Sequence, residues 1–121
     1  MSNKQKNLAI GLDVGSTTVK AVVCDPETLD IIWCDYRRHE ARLPETVLDF
    51  MIRIGAFFPC AQNLRIFCTG SGAEPLINPL GARFVQEVNA VTLAVEQLYP
   101  KVNSVIELGG QDAKVIMFPI F

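Results

Sequence analysis

The sequence predicts an α/β domain: a mixed sheet of about five strands with helices on its faces, in β-β-β-α-β-α-β order. Two observations carry this prediction. Segments rich in β-branched residues bracket a glycine turn near each end of the chain, and between them two runs repeat apolar residues at helical spacing. Three meandering strands followed by alternating helices and strands imply a mixed rather than a purely antiparallel sheet. The 121 residues are 50% hydrophobic and 20% charged, which suits one domain with a real core and argues against disorder.

The first strand begins near Leu8, and residues 1–7 read as a disordered or tag-like start before a domain spanning 8–121. Val19, Val22 and Val23 make the segment after the first glycine turn a second strand, and Ile31 to Arg37 follows as a third, turned by Asp25, Pro26 and Glu27. Pro44 suits the first turn of a helix and Glu45 its positive end. The apolar stripe of this helix runs Val47, Phe50, Met51, Ile54 and Phe58, and Pro59 stops it. Leu64 to Thr69 is a short strand entering the Gly70–Ser71–Gly72 turn. A polar loop with Pro75, Pro79 and Gly81 comes next. Val88 to Tyr99 is a second helix, with Val88, Val91, Thr92, Val95 and Leu98 or Tyr99 facing inward. Ser104 to Phe118 closes the chain as two strands around Gly109 and Gly110.

The turn Asp13–Val14–Gly15–Ser16–Thr17–Thr18 offers a carboxylate, a glycine and three hydroxyls within six residues. Glycine lets the backbone approach a phosphate closely, while amides and hydroxyls donate to its oxygens. A carboxylate would repel the phosphate directly, so Asp13 is better employed on the waters of a bound Mg²⁺. A strand, not a helix, follows the turn, which separates it from P-loop and dinucleotide motifs. Near the other end Glu107 precedes Gly109–Gly110, and Gln111 and Asp112 follow, in the same order of carboxylate, glycine turn and strand. The shared order predicts that Asp13 and Glu107 end adjacent strands, with the two glycine turns facing one cleft.

The segment from Asp13 to Lys20 resembles the first phosphate motif of the actin, sugar-kinase and heat-shock-chaperone ATPase superfamily, and Glu107 to Lys114 resembles the second. The Gly110–Gln111–Asp112–Ala113–Lys114 form is similar to one branch: the ATP-dependent activators of 2-hydroxyacyl-CoA dehydratases and the related benzoyl-CoA reductase ATPase subunits. The resemblance implies a ribonuclease-H-like (actin-like ATPase) half-domain binding ATP or ADP with Mg²⁺. It implies that Asp13 holds Mg²⁺ with help from Glu107, and that Gly15, Ser16, Thr17 and Thr18 line the phosphates. Gly109, Gly110 and Gln111 would line their opposite side. Lys20 either reaches a phosphate or is a solvated strand residue, and Glu87 either orients the attacking water or is a helix-end carboxylate.

Members of that branch are at least about twice this length, close two similar domains over the nucleotide, and share a [4Fe–4S] cluster between two subunits. Their cluster cysteines follow the second phosphate motif, whereas Cys68, the last here, precedes it. The chain is therefore expected to be the N-terminal part of a homodimeric parent, with no cluster ligand among Cys24, Cys34, Cys60 and Cys68, which read as buried free thiols. The implied parent couples ATP hydrolysis to electron delivery toward a CoA-ester dehydratase or reductase. A sugar or small-acid kinase, or a non-catalytic interaction module, are the alternative readings. The formal net charge of −2 offers no basic field for nucleic acid, no apolar run is long enough to span a bilayer, and a cytoplasmic location is expected. His39, with no partner at metal-ligand spacing, is expected to be exposed. Arg37 and Arg38 read as a solvated sheet edge, and Trp33 and the phenylalanines as core.

Overall fold

A computed structural model describes residues 4–108 and 113–118. The chain divides into two compact units, Met1–Phe84 and Val85–Phe121. In the first, β1 (Asn7–Val14), β2 (Thr18–Cys24) and β3 (Ile31–Arg38) form an antiparallel meander. Helix α1 (Leu43–Phe57) then leads to β4 (Asn63–Thr69), and α2 (Glu74–Leu80) to a two-residue strand, β5 (Arg83–Phe84). The sheet order is β3-β2-β1-β4-β5, with β4 parallel to β1 and β5 parallel to β4.

Alternation decides the faces. Leu8, Ile10, Leu12 and Val14 of β1 and Val19, Ala21 and Val23 of β2 are buried, while the residues between them are partly or fully exposed. Val47, Phe50 and Ile54 of α1, with Phe58 just beyond it, complete the same core, and Ala73 and Leu76 join from α2 and its approach. Both crossovers step in one direction across the sheet, and right-handed connections then place both helices on one side.

Charge fixes α1 against β3. Arg53 of α1 donates to Asp35 of β3 at 2.6 Å and to Asp49, one turn earlier, at 3.0 Å; Arg37 reaches Asp49 at 3.1 Å. The Arg53 guanidinium also lies 5.3 Å from the Trp33 ring centroid and 5.1 Å from that of Phe50, rings that meet edge to face. Arg37 and Arg38 are exposed on β3, the edge strand, as expected, and Arg37 also joins this network because its side chain reaches the helix.

The proline-bearing stretch expected as a loop is α2 followed by β5. Pro75 sits in the first turn, where a missing N–H is harmless, and Gly81 ends the helix in the left-handed conformation at φ 61°. The five-stranded count is met by β5 rather than by a strand near Glu107. Phe57, Phe67 and Phe84 are exposed and Trp33 is half-buried, so only Phe50 and Phe58 are core aromatics among those described.

The second unit holds α3 (Glu87–Leu98), β6 (Ser104–Leu108) and β7 (Ala113–Met117), the two strands pairing antiparallel with each other. The helix forms as its spacing predicts, but none of its residues is buried: Val91, Thr92 and Val95 are half-buried, and Val88, Leu98 and Tyr99 exposed. A two-stranded hairpin is too narrow a surface to cover an apolar helix face.

Asp35 supplies a test of the α1–β3 junction. Desolvation opposes its charge, but the Arg53 hydrogen bond, the Tyr36 amide and the Arg53 and Arg37 charges together hold its carboxyl below the ordinary range. A depressed carboxylate stabilises the fold above its unfolded pKa of about 3.9, and this contribution is lost as pH falls through the lower folded value. Urea midpoints measured from pH 7 downward are expected to fall below about pH 4. Asp35→Asn should lower the neutral midpoint and make this acid limb shallower.

Candidate functional site

The site begins where β1 stops. Asp13 is the penultimate residue of β1, paired in register with Lys20 of β2 and Thr69 of β4. Because β1 and β4 are parallel, the Gly15 loop and the Gly70–Gly72 turn leave the sheet at the same carboxyl end, where open α/β sheets bind their ligands. Asp13 is 43% exposed at its side chain, and Lys20 approaches it at 4.0 Å while lying 5.9 Å from the Tyr36 ring. Lys20 thus neighbours Asp13 on one face of the sheet.

Hydrogen bonds turn the loop's carbonyls toward the protein. Gly15 N–H donates to Thr18 O at 2.8 Å, His39 N–H donates to Thr17 O at 3.1 Å, and His39 Nε2 lies 3.1 Å from Gly15 O. Ser16 and Thr17 are exposed, and their amides make no hydrogen bond to another described residue. An anion could be received there by backbone donors. A side chain at Gly15 would place its Cβ 3.3 Å from Thr18 O, so glycine relieves a tight spot in the turn.

His39 is the residue that sequence reasoning missed. It was expected to be exposed; it is half-buried, one ring nitrogen faces the Gly15 carbonyl, and Nδ1 is buried without a partner among the described residues. Metal-ligand spacing offered no signal, because its partner is a backbone carbonyl 24 residues away.

The Gly70–Ser71–Gly72 turn serves the loop from below. Gly72 N–H donates to Val14 O at 2.9 Å, and Gly70 has φ 100°. A Cβ on Gly70 would fall 2.2 Å from that same carbonyl oxygen. The turn therefore reads as a strand-end structure, and it carries no cation or carboxylate of its own. Thr69 Oγ1, at its entrance, is buried without a hydrogen-bond partner among the described residues.

Glu87 and Glu107 belong to the second unit. Lys114 of β7 donates to Glu87 at 2.6 Å, and its ammonium lies 4.0 Å from Glu107, its register partner across the hairpin. One cation thus orders two carboxylates. Glu107 does not end a strand adjacent to that of Asp13: β1 is bonded to β2 and β4, and β6 to β7 in a sheet of its own. The order of residues is repeated between the two turns, but their strands belong to separate sheets. Gly109, Gly110, Gln111 and Asp112 lie outside the described residues.

Two implied groups can be tried against these residues. Among those described, no three His, Cys, Asp or Glu side chains gather to hold a metal ion. A strand-end carboxylate still suits Mg²⁺, which keeps several waters and takes its remaining ligands from phosphates. An iron–sulfur cluster does not fit the cysteines. Cys34 and Cys60 are exposed, Cys24 is half-buried and Cys68 is buried, so the expectation of four buried thiols holds for only one. Burial pushes the Cys24 and Cys68 thiols up, away from the thiolate a metal requires.

No family model matches the chain. It is 31% identical over 110 residues to an uncharacterized protein of Methanocaldococcus jannaschii, covering 90% of this chain and 42% of that protein. Its backbone matches the activator of 2-hydroxyisocaproyl-CoA dehydratase from Clostridium difficile, solved with bound ADPNP, with a TM-score of 0.73 and 26% identity over 93% of this chain and 41% of the activator. It also matches component A of the Acidaminococcus fermentans (R)-2-hydroxyglutaryl-CoA dehydratase, with a TM-score of 0.69 and 22% identity over 94% of this chain and 44% of that one. The chain spans about four-tenths of the length of each of these proteins. The resemblance read from the two motifs and the actin-like ATPase fold are both borne out by these matches.

Gly70→Ala tests whether the turn supports the loop. With backbone, not a flexible side chain, in the way, the substitution is expected to cost about 2–5 kcal/mol of stability. Urea denaturation measures this, and Gly81→Ala, at a positive φ with nothing within 4 Å, is the control for backbone strain alone.

Proposed function

From its kinship with the dehydratase activators, we propose that this chain is the first phosphate-binding part of an ATPase that activates a CoA-ester dehydratase or reductase. One observation carries the proposal: the exposed Ser16 and Thr17, whose amides make no hydrogen bond to another described residue, follow Asp13 closely in the loop at the carboxyl end of a central strand. The activator solved with ADPNP supports a nucleotide as the anion. The remaining domain, the ATPase turnover and the partner enzyme are proposed for a longer protein of which this chain forms part. No described helix is long and apolar enough to cross a membrane.

Each residue then has a task. Asp13 would hold Mg²⁺ through water, with Glu107 helping. Ser16 and Thr17 would donate to the β- and γ-phosphates, Gly15 would let them approach, and Thr18 would add its hydroxyl. Lys20 would balance charge near Asp13, while Gly109, Gly110 and Gln111 would close on the phosphates from the second turn. Glu87, its carboxylate oriented by Lys114, would position water for attack. When bound, Mg²⁺ would neutralise charge on the transferred phosphoryl group. Coupling of hydrolysis to low-potential electron delivery is part of the proposal for the parent, and its cluster ligands would come from outside this chain.

Binding can be measured on the chain itself. Mg·ADPNP followed by amide chemical shifts should perturb Gly15 to Thr18 with a Kd of about 1 mM, about 4.1 kcal/mol of binding. Asp13→Ala should remove the Mg²⁺ dependence. Wild-type shifts that stay put at saturating ligand would overturn the reading, and micromolar affinity would refute the proposal that a second domain supplies part of the nucleotide site.

Turnover separates the carboxylates in the longer protein. Asp13→Ala should abolish hydrolysis, because Asp13 would hold the Mg²⁺ whose charge neutralisation is needed in ground and transition states alike. Glu87→Gln should slow kcat by about 10²–10⁴-fold with ATP still bound, since an orienting group acts mainly in the transition state. A parental rate in Glu87→Gln would leave it a helix-end carboxylate and pass the role to Gln111 or Asp112.

A further inference from the structure

We propose that His39 is a positioning residue that gives the Gly15–Thr18 loop its anion-receiving shape. The chemistry of its contact fixes the ring. A carbonyl oxygen can only accept, so Nε2 carries the proton and donates to Gly15 O at 3.1 Å. The same residue's amide holds Thr17 O at 3.1 Å. Thus one residue, just beyond the end of β3, engages two of the loop's carbonyls from one side, and the Gly15–Thr18 bond engages a third.

Peptide planes make this consequential. When the Gly15 carbonyl is pulled toward His39, the N–H of Ser16, in the same plane and trans to it, points the other way. The Thr17 carbonyl likewise governs the Thr18 amide. Without the imidazole, the Gly15–Ser16 plane keeps only weak local restraints, because glycine resists few rotations. The Arg42 amide donates to His39 O at 2.7 Å, so His39 is itself tied to the turn leading into α1. Its backbone is thereby held at both the amide and the carbonyl.

The inference rests on the nucleotide reading for its purpose but not for its test. Wild type, His39→Ala and His39→Gln are compared, since a glutamine amide can present a donor close to where Nε2 stands. In wild type, imidazole ¹⁵N shifts should show a protonated Nε2 and a bare Nδ1. Without ligand, amide order parameters for Gly15–Thr17 should be near about 0.85 in wild type, fall toward about 0.6 in the alanine variant, and recover in the glutamine variant. Mg·ADPNP affinity should weaken roughly five- to tenfold in the alanine variant and return to within about threefold with glutamine. Amides of Ile10 and Val23 report whether the sheet is unchanged.

An unprotonated Nε2 in wild type would overturn the proposal even if the alanine variant fails to fold. So would a loop equally ordered in the alanine variant, or a glutamine variant as loose as alanine. A loop ordered by His39 that ignores Mg·ADPNP would uphold the clamp and sink the nucleotide reading instead.

Discussion

Val14 and Gly70 approach so closely that no side chain fits between them, and much else follows from that contact. Val14 is the last residue of β1 and the first step of the phosphate-type loop; its carbonyl accepts from Gly72. Parallel pairing of β1 with β4 brings the two strand ends level, and the glycines let the second turn slide beneath the first. The height of the Gly15 loop above the sheet is thereby set by backbone packing rather than by flexible side chains. Precision of this kind suits a site that must meet phosphate oxygens at hydrogen-bonding distance.

The other supports act at the flanks. His39 reaches the loop from the edge strand, and the Asp35–Arg37–Asp49–Arg53 network holds that edge strand to α1. The loop is thus held from beneath by uncharged backbone and from the side by residues whose own positions depend on ion pairs. In the second unit the arrangement is sparser. One lysine orders Glu87 and Glu107, and Ile106, Leu108, Val115 and Met117 along the hairpin are exposed.

Local sequence order made the first unit legible. Alternation located β1 and β2, the stripe from Val47 to Phe58 located α1, and Asp13 with Gly15 located the loop. What stayed hidden depended on distant partners or on ambiguous punctuation. His39 gained its role from a carbonyl 24 residues away. Pro75 and Gly81 punctuate a loop and a short helix equally well, and here the first opens a helix and the second closes it. The inward stripe of α3 followed sound periodicity, but periodicity names a face without supplying what covers it. Likewise, repeated motifs at Asp13 and Glu107 revealed similar turns but could not reveal that their strands belong to separate sheets.

Both crossovers lying on one side leave the sheet with unequal faces, and this makes for an uneven tolerance of sequence drift. Along β1, a change at Leu8, Ile10 or Leu12 disturbs a packed layer. A change at Ala9 meets only half-buried surroundings on the opposite side. Random substitution should therefore erode even-numbered positions of this strand far more slowly than odd ones under selection. Asp13 is the odd-numbered position where such latitude ends, because there the lenient face of the sheet reaches its carboxyl end.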